Sequence, residues 1–321
     1  MIVDRIVPRL EFSWMPKTIQ PGGLIELHRT SSGLAPETRH GWRILAHRLI
    51  KRDYGCSNQD GCTIDLRQNT PGNWAHSNIF HLPLAAMARQ WIGDTPNVLL
   101  PFKTPKYIRR LYEHFGFPVI CTDREVRGDI IALKLSANDV LRPARRDLAK
   151  LLISDLQQRH ALTQQPVALS QKIFVSRRKT RRIENEAEIE SYLRPLGFVK
   201  IYPEELSVAE QIGVFSLAKE IVAIHGAALA PLLYRPDQTE SFSLIEILSP
   251  GHVATSYRLM ASQVGGTYIG VRGKVKPELV EPSYQLDRHF TEYSLADFSV
   301  DLESLKCAME FINTKRLPEF V

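Results

Sequence analysis

The sequence predicts an α/β protein made of two domains, each with a parallel sheet covered by helices. Three observations predict this fold class. Short apolar runs alternate with longer amphipathic stretches across residues 166–275, and such alternation requires crossover helices between parallel strands. A less regular alternation of the same kind comes before it, in residues 1–165. The length of 321 residues suits about two domains of ordinary size.

The elements of residues 166–275 follow one by one from their apolar pattern. In chain order we expect a strand at QKIFVSR, a helix at NEAEIESYLRPLG, a strand at FVKIY, a helix at SVAEQIGVFSLAKE, a strand at EIVAIHG, a helix at AALAPLLYR, and then strand, helix and strand at FSLIEIL, ATSYRLMASQVG and GTYIGV. The serine that opens the second of these helices is predicted to cap it. Together these elements describe a Rossmann-like domain.

The first domain, residues 1–165, has fewer clear elements. We predict a strand at NVLLPFK, a helix at PKYIRRLYEHFG, a strand at PVICTD and a long amphipathic helix at ARRDLAKLLISDLQQRHAL. A polar stretch around 163–171 is predicted to link the two domains. Residues 276–321 form a return segment. Its final helix, DLESLKCAMEFINTK, is expected to pack back on the first domain.

Composition limits the location and the partners of the chain. No stretch approaches the roughly 20 uncharged apolar residues that a membrane span needs, and the start MIVDRIVPRL lacks the pattern of a secretory signal. The four cysteines are spaced irregularly and indicate neither a disulfide framework nor a zinc site. We therefore expect a cytoplasmic protein. The formal charge of +6 suits nucleic acid, a membrane surface or an anionic small molecule.

The stretch IVAIHGAAL, residues 221–229, is the first candidate site. In an open parallel sheet, ligands bind beyond the carboxyl ends of the strands, where the next helix presents backbone N–H groups. Gly226 would let the backbone approach a phosphate closely, Ala227 would keep side chains away, and His225 could donate a hydrogen bond to an oxyanion. A tight turn around a buried histidine explains the same residues without a ligand.

The stretch SRRKTRRIENE, residues 176–186, is the second candidate site. Arg177 leaves the end of a strand, while Arg181 and Arg182 lie just before a helix, so their guanidinium groups could converge on the same crevice. The planar fork of arginine binds phosphate oxygens bidentately. A solvated basic loop is the main alternative. Nucleic-acid contact has less support because no aromatic residues interleave the arginines.

Residues from about 172 to 250 contain five motifs in order: SRR-x-x-RR-I-x-NE, LGF, P-E-x-L-S-x-x-EQ, IVAIHGAAL and IEIL. The set resembles glycosyltransferase family 61, including its bacterial capsular-polysaccharide members. The resemblance implies a GT-B arrangement, in which two Rossmann-like domains face a cleft. It also implies that the C-terminal domain holds a nucleotide-sugar donor substrate, with no obligatory metal and no other cofactor.

The resemblance implies roles for single residues of the donor site. It assigns Arg177, Arg181 and Arg182 to the donor pyrophosphate. It implies that the motif of His225, Gly226 and Ala227 faces the donor. Glu246 matches an acidic position of the family, where its carboxylate could accept hydrogen bonds from ribose hydroxyls or belong to a structural ion pair.

Four further motif residues are assigned mainly to the scaffold. Asn185 and Glu186 are expected to order the loop and cap the helix that follows it. Glu210 is expected to be structural, and Gln211 is left open between a structural role and one on the donor side.

The first half of the chain contains a second motif that resembles the family less closely. The stretch NWAHSNIFHLPL, residues 73–84, resembles the N-Y-x-H-W stretch of the family's first conserved helix. The chain departs from it at Ser77, where an aromatic residue is usual, and at Phe80, where members often have an acid. A neutral imidazole can accept a proton at cellular pH, so His76 is the predicted catalytic base. A histidine that only caps or packs the helix is the alternative.

Three other chemistries are not indicated. His76 and His81 are five residues apart and would point about 140° away from each other on a helix, whereas a chelating pair prefers the i, i+4 spacing. No G-x-S-x-G motif is present for a serine hydrolase. Cys56 and Cys62 are assigned to a polar loop, DYGCSNQDGC, and are expected to be reduced.

We therefore predict an inverting, metal-independent glycosyltransferase that uses a nucleoside-diphosphate sugar. Its acceptor is predicted to be a glycan or lipid-linked glycan in surface polysaccharide synthesis. A lipid-linked acceptor would bring the protein to the inner face of the cytoplasmic membrane as a peripheral protein. No nucleic-acid partner is expected. Two alternatives stay open: a basic α/β protein that binds RNA or another polyanion, and a family member that has lost activity.

Overall fold

A computed structural model gives the fold of most of the chain. It describes residues 26–33, 57–68, 70–134, 149–154, 170–236, 242–252, 254, 256–274 and 294–314. The sequence-predicted linker and return segment fall largely outside these residues, as does most of the amphipathic helix predicted at 144–162. The described residues divide into two compact units, one within residues 20–164 and the other within residues 165–321.

The first unit contains a five-stranded mixed sheet. Its strands are β1 (Glu26–Gly33), β2 (Ser57–Asp65), β3 (Asn97–Leu100), β4 (Val119–Cys121) and β5 (Val126–Lys134). The order across the sheet is β1-β5-β2-β3-β4, with β1 antiparallel to β5 and every other pair parallel. The carboxyl ends of β2, β3 and β4 therefore meet at one edge.

Strand β2 corrects a prediction. The stretch around Cys62 was expected to be a polar loop, yet it forms a strand between β5 and β3 in which Ile64 is fully buried. The pairing register shifts between Asn58 and Cys62, and Gly61 within the shift has a left-handed φ of 79°. This bulge breaks the alternation of polar and apolar residues. The sequence therefore lacks the pattern by which this strand could be predicted.

Helix α1 follows β2. It consists of the α-helical turn Trp74–His76, the π-helical segment Ser77–His81 and the α-helical segment Leu82–Ile92. The side chain of Asn73 caps the start by accepting hydrogen bonds from the backbone N–H groups of Ala75 and His76. Such caps satisfy donors that have no partner inside the helix. The family-like motif thus starts a helix at the carboxyl edge of the first sheet.

Helix α2 (Lys106–His114) connects β3 to β4, as the sequence predicts. It buries Ile108, Leu111 and Tyr112 against the unit and leaves its other face to solvent. This spacing of buried residues is typical of an amphipathic surface helix.

The second unit contains a five-stranded parallel sheet. Its strands are β6 (Lys172–Val175), β7 (Val199–Ile201), β8 (Glu220–Ile224), β9 (Ser243–Leu248) and β10 (Thr267–Arg272). The order across the sheet is β10-β9-β8-β6-β7. The chain therefore leaves β6 towards β7 and returns on its other side at β8. Such a reversal is a topological switch point, beyond which ligands bind in doubly wound sheets.

Within the described part of this unit, four α-helices accompany the sheet: α3 (Glu186–Leu193), α4 (Val208–Leu217), α5 (Ser256–Gln263) and α6 (Leu302–Thr314). Helix α4 begins with a capping box, in which Ser207 and Glu210 each accept a hydrogen bond from the other's backbone N–H. The predicted serine cap is therefore confirmed, and so is the structural role of Glu210.

The last helix corrects a second prediction. We expected it to pack on the first domain, but α6 buries Leu305, Ala308 and Met309 in the apolar core of the second unit, together with Ile247 and Val271. The physical reason is the apolar side chains of β9 and β10, which need a helical cover on this face. The helix is part of the second unit's own core.

The segment after β8 is a 3₁₀-helix, Ala227–Tyr234, rather than an α-helix. Pro231 lies inside it and has no N–H to donate, which disfavours the α-helical bonding pattern. Its residues from Leu229 to Tyr234 are buried. Among the residues that the structure describes, no helix is both long and apolar enough to cross a bilayer.

Candidate functional site

The switch point of the second sheet brings the two predicted motifs together. Arg177 lies just beyond the carboxyl end of β6, and His225 and Gly226 lie just beyond that of β8. Because β6 and β8 are paired neighbours, their loops flank one crevice. The prediction that these loops converge therefore agrees with the geometry.

Two arginines meet at one carbonyl group. Nη1 of Arg177 donates a hydrogen bond of 2.8 Å to the carbonyl oxygen of His225, and Nη1 of Arg181 approaches the same oxygen at 3.4 Å. Nη2 of Arg177 also donates to Oγ1 of Thr180, and Nε of Arg181 donates to the carbonyl of Ser294. All of these acceptors are neutral. The two positive charges have no carboxylate partner among the contacts that the structure describes.

The pKa values of Arg177 and Arg181 are both lowered. Burial lowers the pKa of Arg177, and burial together with the charge of Arg177 lowers the pKa of Arg181. Arg181 also has a left-handed backbone, with φ of 58°. A side chain other than glycine costs about 1–2 kcal/mol there, and such outliers cluster at functional sites. The scaffold thus holds two cations close together at some cost.

Arg182 has a different environment from the one that the resemblance implies. Its side chain is exposed, and Nε and Nη2 donate to Oδ2 of Asp297 at 2.9 and 2.6 Å. The hydrogen bonds to Asp297 and its negative charge raise the pKa of Arg182. The structure therefore places Arg182 in a surface ion pair and not with Arg177 and Arg181.

The loop that carries the arginines is fastened by residues 294–300, which we call the clasp segment. The backbone N–H of Arg181 donates to Leu295 O, Phe298 N–H donates to Arg182 O, and Glu184 N–H donates to Phe298 O. Asn185 completes the contact because its amide donates to Val300 O and accepts from Val300 N–H. Asn185 and Glu186 were expected to order this loop. Asn185 does so through the clasp segment, and Glu186 does so by accepting a hydrogen bond from Ser176.

His225 is buried and held from behind by a carboxylate. Its Nδ1 lies 2.5 Å from Oε1 of Glu246, and the hydroxyl of Tyr268 donates to Oε2 of Glu246 at 2.6 Å. Glu246 is fully buried. Both of its oxygens are therefore occupied inside the protein. This geometry supports the ion-pair alternative for Glu246, in which it orients His225, rather than a contact with ribose.

Two residues that the sequence analysis missed complete this edge. The ring of His252 lies 4.9 Å from that of His225, and the ring of Tyr257 lies 5.5 Å from it, measured between centroids. Burial, His225 and Arg181 lower the pKa of His252 to about 4, so the ring is neutral at cellular pH. Burial and Glu246 raise the pKa of Tyr257. The signal for His252 was its position just after an apolar strand, β9.

Position 226 requires glycine because the Arg177 side chain lies close to it, and not because the backbone angle is unusual. Its φ of 165° is extended, so the left-handed angle is not needed here. A Cβ placed on Gly226 would lie 2.0 Å from Nη1 of Arg177. Glycine therefore makes room for the guanidinium of Arg177. Ala227 is half-buried and begins the 3₁₀-helix.

Gln211, left open by the sequence, has a structural contact. It is buried on α4, and Nε2 donates to the carbonyl of Leu206 at 3.1 Å. This hydrogen bond tethers the loop before the helix.

In the first unit, His76 lies in the first turn of α1 and is exposed. Its Nδ1 lies 2.5 Å from Oγ1 of Thr70, a residue with a left-handed φ of 56°. The hydroxyl of Ser77 is buried and donates to the carbonyl of Pro71. The loop after β2 therefore fixes the orientation of the His76 ring at the carboxyl edge of the sheet, which is compatible with its predicted role.

The burial and the hydrogen bond of His81 indicate a structural role. It is buried, its Nε2 lies 2.9 Å from the carbonyl oxygen of Gln68, and burial lowers its pKa to about 4. Within the described ranges, no group of three or more histidine, cysteine, aspartate or glutamate side chains could hold a metal ion.

The chain matches the model of a known protein family. Residues 29–241 match the family model described as Glycosyltransferase 61, which is about two thirds of the chain. No curated protein sequence matches the chain. The matched region includes β6, the arginine loop and β8, and it ends before Glu246, His252 and the clasp segment.

Proposed function

The chain belongs to glycosyltransferase family 61, and from this premise we propose that it transfers a sugar from a nucleoside-diphosphate donor to a hydroxyl group of a glycan. The donor diphosphate binds at the switch point between β6 and β8. Arg177 and Arg181 bind its oxygens, and His225 contributes a further hydrogen bond.

The observation that carries this proposal is the pair of arginines at the His225 carbonyl. Both guanidinium groups are partly removed from water and face neutral oxygens. A diphosphate would supply the missing negative charge and accept several N–H groups in the geometry that guanidinium prefers. Hydrogen bonds between charged partners contribute about 1.5–3 kcal/mol each. The site therefore suits a dianion better than a neutral ligand.

The same charges suit the departure of the nucleoside diphosphate. In the transfer step the acceptor oxygen attacks the anomeric carbon, the bond from that carbon to the phosphate oxygen breaks, and the diphosphate leaves with the electron pair. Arg177 and Arg181 stabilise the negative charge that develops there, which supports a metal-independent reaction. Attack opposite the leaving group inverts the anomeric centre. The proton of the acceptor hydroxyl passes to His76, whose ring Thr70 orients.

His225 acts with Glu246. A carboxylate at Nδ1 requires that this nitrogen carry a proton, so Nε2 is the nitrogen that can face a ligand. Nε2 therefore approaches a phosphate oxygen of the donor. Glu246 holds the ring from behind, and Tyr268 keeps the carboxylate in place. Glu246 is a positioning residue in this proposal.

The proposal also includes the acceptor and the biological setting. We propose a GT-B enzyme of surface polysaccharide synthesis that acts on a glycan or lipid-linked glycan at the cytoplasmic side of the membrane. Two alternatives compete with it: binding of RNA or another polyanion by the arginine loop, and a family member without turnover. The partial burial of Arg177 and Arg181 favours a compact ligand over an extended polyanion.

Thermal unfolding with candidate donors tests the proposal. UDP, GDP, CMP and their sugars are added to the full chain, and the melting temperature is measured. A ligand at 100 times its dissociation constant adds about 2.7 kcal/mol to the free energy of unfolding, which we expect from one nucleotide and its sugars. No shift with any of them would remove the main support for a nucleotide-sugar donor.

Neighbouring arginines provide the matched control. Arg181→Ala should abolish the nucleotide-induced shift, whereas Arg182→Ala should retain it because Arg182 pairs with Asp297 outside the crevice. Equal losses in both variants would mean that the loop, and not Arg181, makes the site. A nucleotide shift without release of nucleotide from any donor sugar, with or without added glycans, would favour the inactive family member.

A further inference from the structure

The outward face of α2 and the loop before it form a cationic surface. We define the α2 surface as Phe102, Lys103, Lys106, Tyr107, Arg109 and Arg110, all of which are exposed. The helix turns Ile108, Leu111 and Tyr112 into the core, so these cations occupy the opposite side. The α2 surface belongs to the first unit, and the arginine loop belongs to the second.

The charges of this surface are not neutralised within the described residues. The structure gives no ion pair for Lys103, Lys106 or Arg110 there. Glu113, at the other end of α2, is the one carboxylate on the helix. Asp123 lies near the loop and accepts a hydrogen bond from the backbone N–H of Phe102. Four cations thus face solvent with one helix carboxylate beside them.

Two aromatic side chains are exposed among these cations. Phe102 is 61% exposed and Tyr107 is 52% exposed. The hydroxyl of Tyr107 lies 3.4 Å from the carbonyl oxygen of Gly72, and its ring lies 6.1 Å from the ring of Trp74. Tyr107 is therefore held in a defined position while much of its ring stays in water. A single exposed aromatic residue is ordinary, but exposed aromatic rings flanked by cations are typical of membrane interfaces.

We infer that the α2 surface docks the protein on a bilayer that contains anionic lipid. Lysine and arginine are attracted to negatively charged headgroups, and each contributes about fivefold to affinity. Phe102 enters the headgroup layer beside them. The face of a surface helix is convex, so a broad layer of headgroups can reach all of these side chains at once, whereas a single glycan or nucleic-acid strand is bound better in a groove. The inference rests on charge and exposure, and it does not depend on the proposed donor site.

Sedimentation with vesicles tests this inference on the full chain. Vesicles of phosphatidylglycerol and phosphatidylcholine are compared with vesicles of phosphatidylcholine alone. We expect binding to the mixed vesicles only. Lys106→Glu combined with Arg110→Glu should weaken this binding by at least about 25-fold, because two attractions of about fivefold each are lost and repulsion is added. Phe102→Ser should weaken it further when added to Lys106→Glu.

The matched control changes the net charge equally at another place. Arg194→Glu combined with Lys306→Glu alters an exposed residue just after α3 and a half-buried residue of α6 in the second unit. Each of them has a carboxylate partner there. This variant should bind mixed vesicles almost as the parent does. Circular dichroism checks folding, and Lys106→Gln with Arg110→Gln replaces the first pair if it does not fold.

Several outcomes would overturn the inference. These are no binding of the parent to mixed vesicles, equal binding to pure phosphatidylcholine, equal loss in the control variant, or tight binding to RNA or heparin without binding to vesicles. The nucleotide-induced thermal shift should be unchanged in every variant of the α2 surface. A missing shift in the parent therefore counts against the proposed donor chemistry alone, and vesicle binding is judged separately.

Discussion

At the scale of single residues, Gly226 shows how a motif glycine serves a neighbour. Its Cβ position is occupied by Nη1 of Arg177 at 2.0 Å. Gly226→Ala should therefore displace the Arg177 guanidinium from the His225 carbonyl. Because charge-assisted hydrogen bonds contribute about 1.5–3 kcal/mol, we expect nucleotide affinity to fall at least about tenfold, measured by calorimetric titration.

The control for this substitution is another glycine with ordinary space around it. A Cβ on Gly72 would lie 3.6 Å from Cδ of Pro105, a normal contact. Gly72→Ala should leave nucleotide binding unchanged. If Gly226→Ala also binds normally while folded, the crevice between β6 and β8 is not the diphosphate site.

The left-handed backbone of Arg181 leads to a prediction about stability. Arg181→Ala and Arg181→Gly both remove the guanidinium, and both should lose nucleotide binding. They differ in strain, because glycine adopts a φ of 58° without the cost of a Cβ. Arg181→Gly should have a free energy of unfolding about 1 kcal/mol higher than Arg181→Ala, measured by denaturant titration. Equal stabilities would show that the backbone relaxes to another conformation when the side chain is removed.

The pairing of His225 with Glu246 predicts an effect on nucleotide binding. Glu246→Gln keeps the shape of the side chain but removes the negative charge beside Nδ1 of His225. We expect nucleotide affinity to fall about tenfold, measured by calorimetric titration. Tyr268→Phe leaves the carboxylate on His225 and should change affinity less than threefold. Equal losses in the two variants would contradict a role for the charge of Glu246.

At the scale of elements, the π-helical segment of α1 carries a buried titratable group. Above about pH 6.5, His81 is neutral in both the folded and the unfolded chain. Below it, the unfolded chain takes up a proton that folded His81 binds only at about pH 4. The free energy of unfolding should therefore fall by about 3 kcal/mol between pH 6.5 and pH 4. Urea titrations at several pH values measure this loss.

The matched variant for this titration is His81→Gln, which retains a donor for the Gln68 carbonyl and cannot take up a proton. It should lose most of the pH dependence in this range. A remainder is expected from His252, whose pKa is lowered in the same direction. An unchanged slope in His81→Gln would assign the acid sensitivity to other groups.

Some elements could be predicted from the sequence because their local pattern matches their environment. Helix α4 has its serine cap, and β6 and β8 are continuous apolar runs in a sheet buried on both faces. Strand β2 could not be predicted, since a bulge interrupts its alternation. The contact between Arg177 and His225 followed from the general rule on strand ends. The pairing of Arg182 with Asp297 did not, because no local pattern connects residues 115 positions apart.

At the scale of the whole molecule, the formal charge of +6 does not describe any one surface. Arg177 and Arg181 are partly buried in the second unit, while the cations of the α2 surface are exposed in the first. Salt screens exposed charges much more than buried ones. The two groups of cations should therefore respond differently to ionic strength.

Raising NaCl from about 0.1 M to about 1 M shortens the screening length from about 10 Å to about 3 Å. We expect vesicle binding to be lost over this range, while nucleotide affinity changes only a few-fold. Sedimentation and calorimetric titration in the same buffers measure the two effects. A steep salt dependence of nucleotide binding, with a slope typical of several released counterions, would instead favour the polyanion-binding alternative.

The clasp segment makes the proposed donor site a late product of synthesis. Ser294 and Val300, which hold Arg181 and Asn185, follow them by 113 and 115 positions. A nascent chain emerges from its amino end, so β6 to β10 leave the exit tunnel and can pair before Ser294 emerges. During that interval the sheet is complete, but the arginine loop lacks the carbonyl and amide groups that orient it. The proposed diphosphate site therefore becomes ordered only after residue 300 has left the exit tunnel.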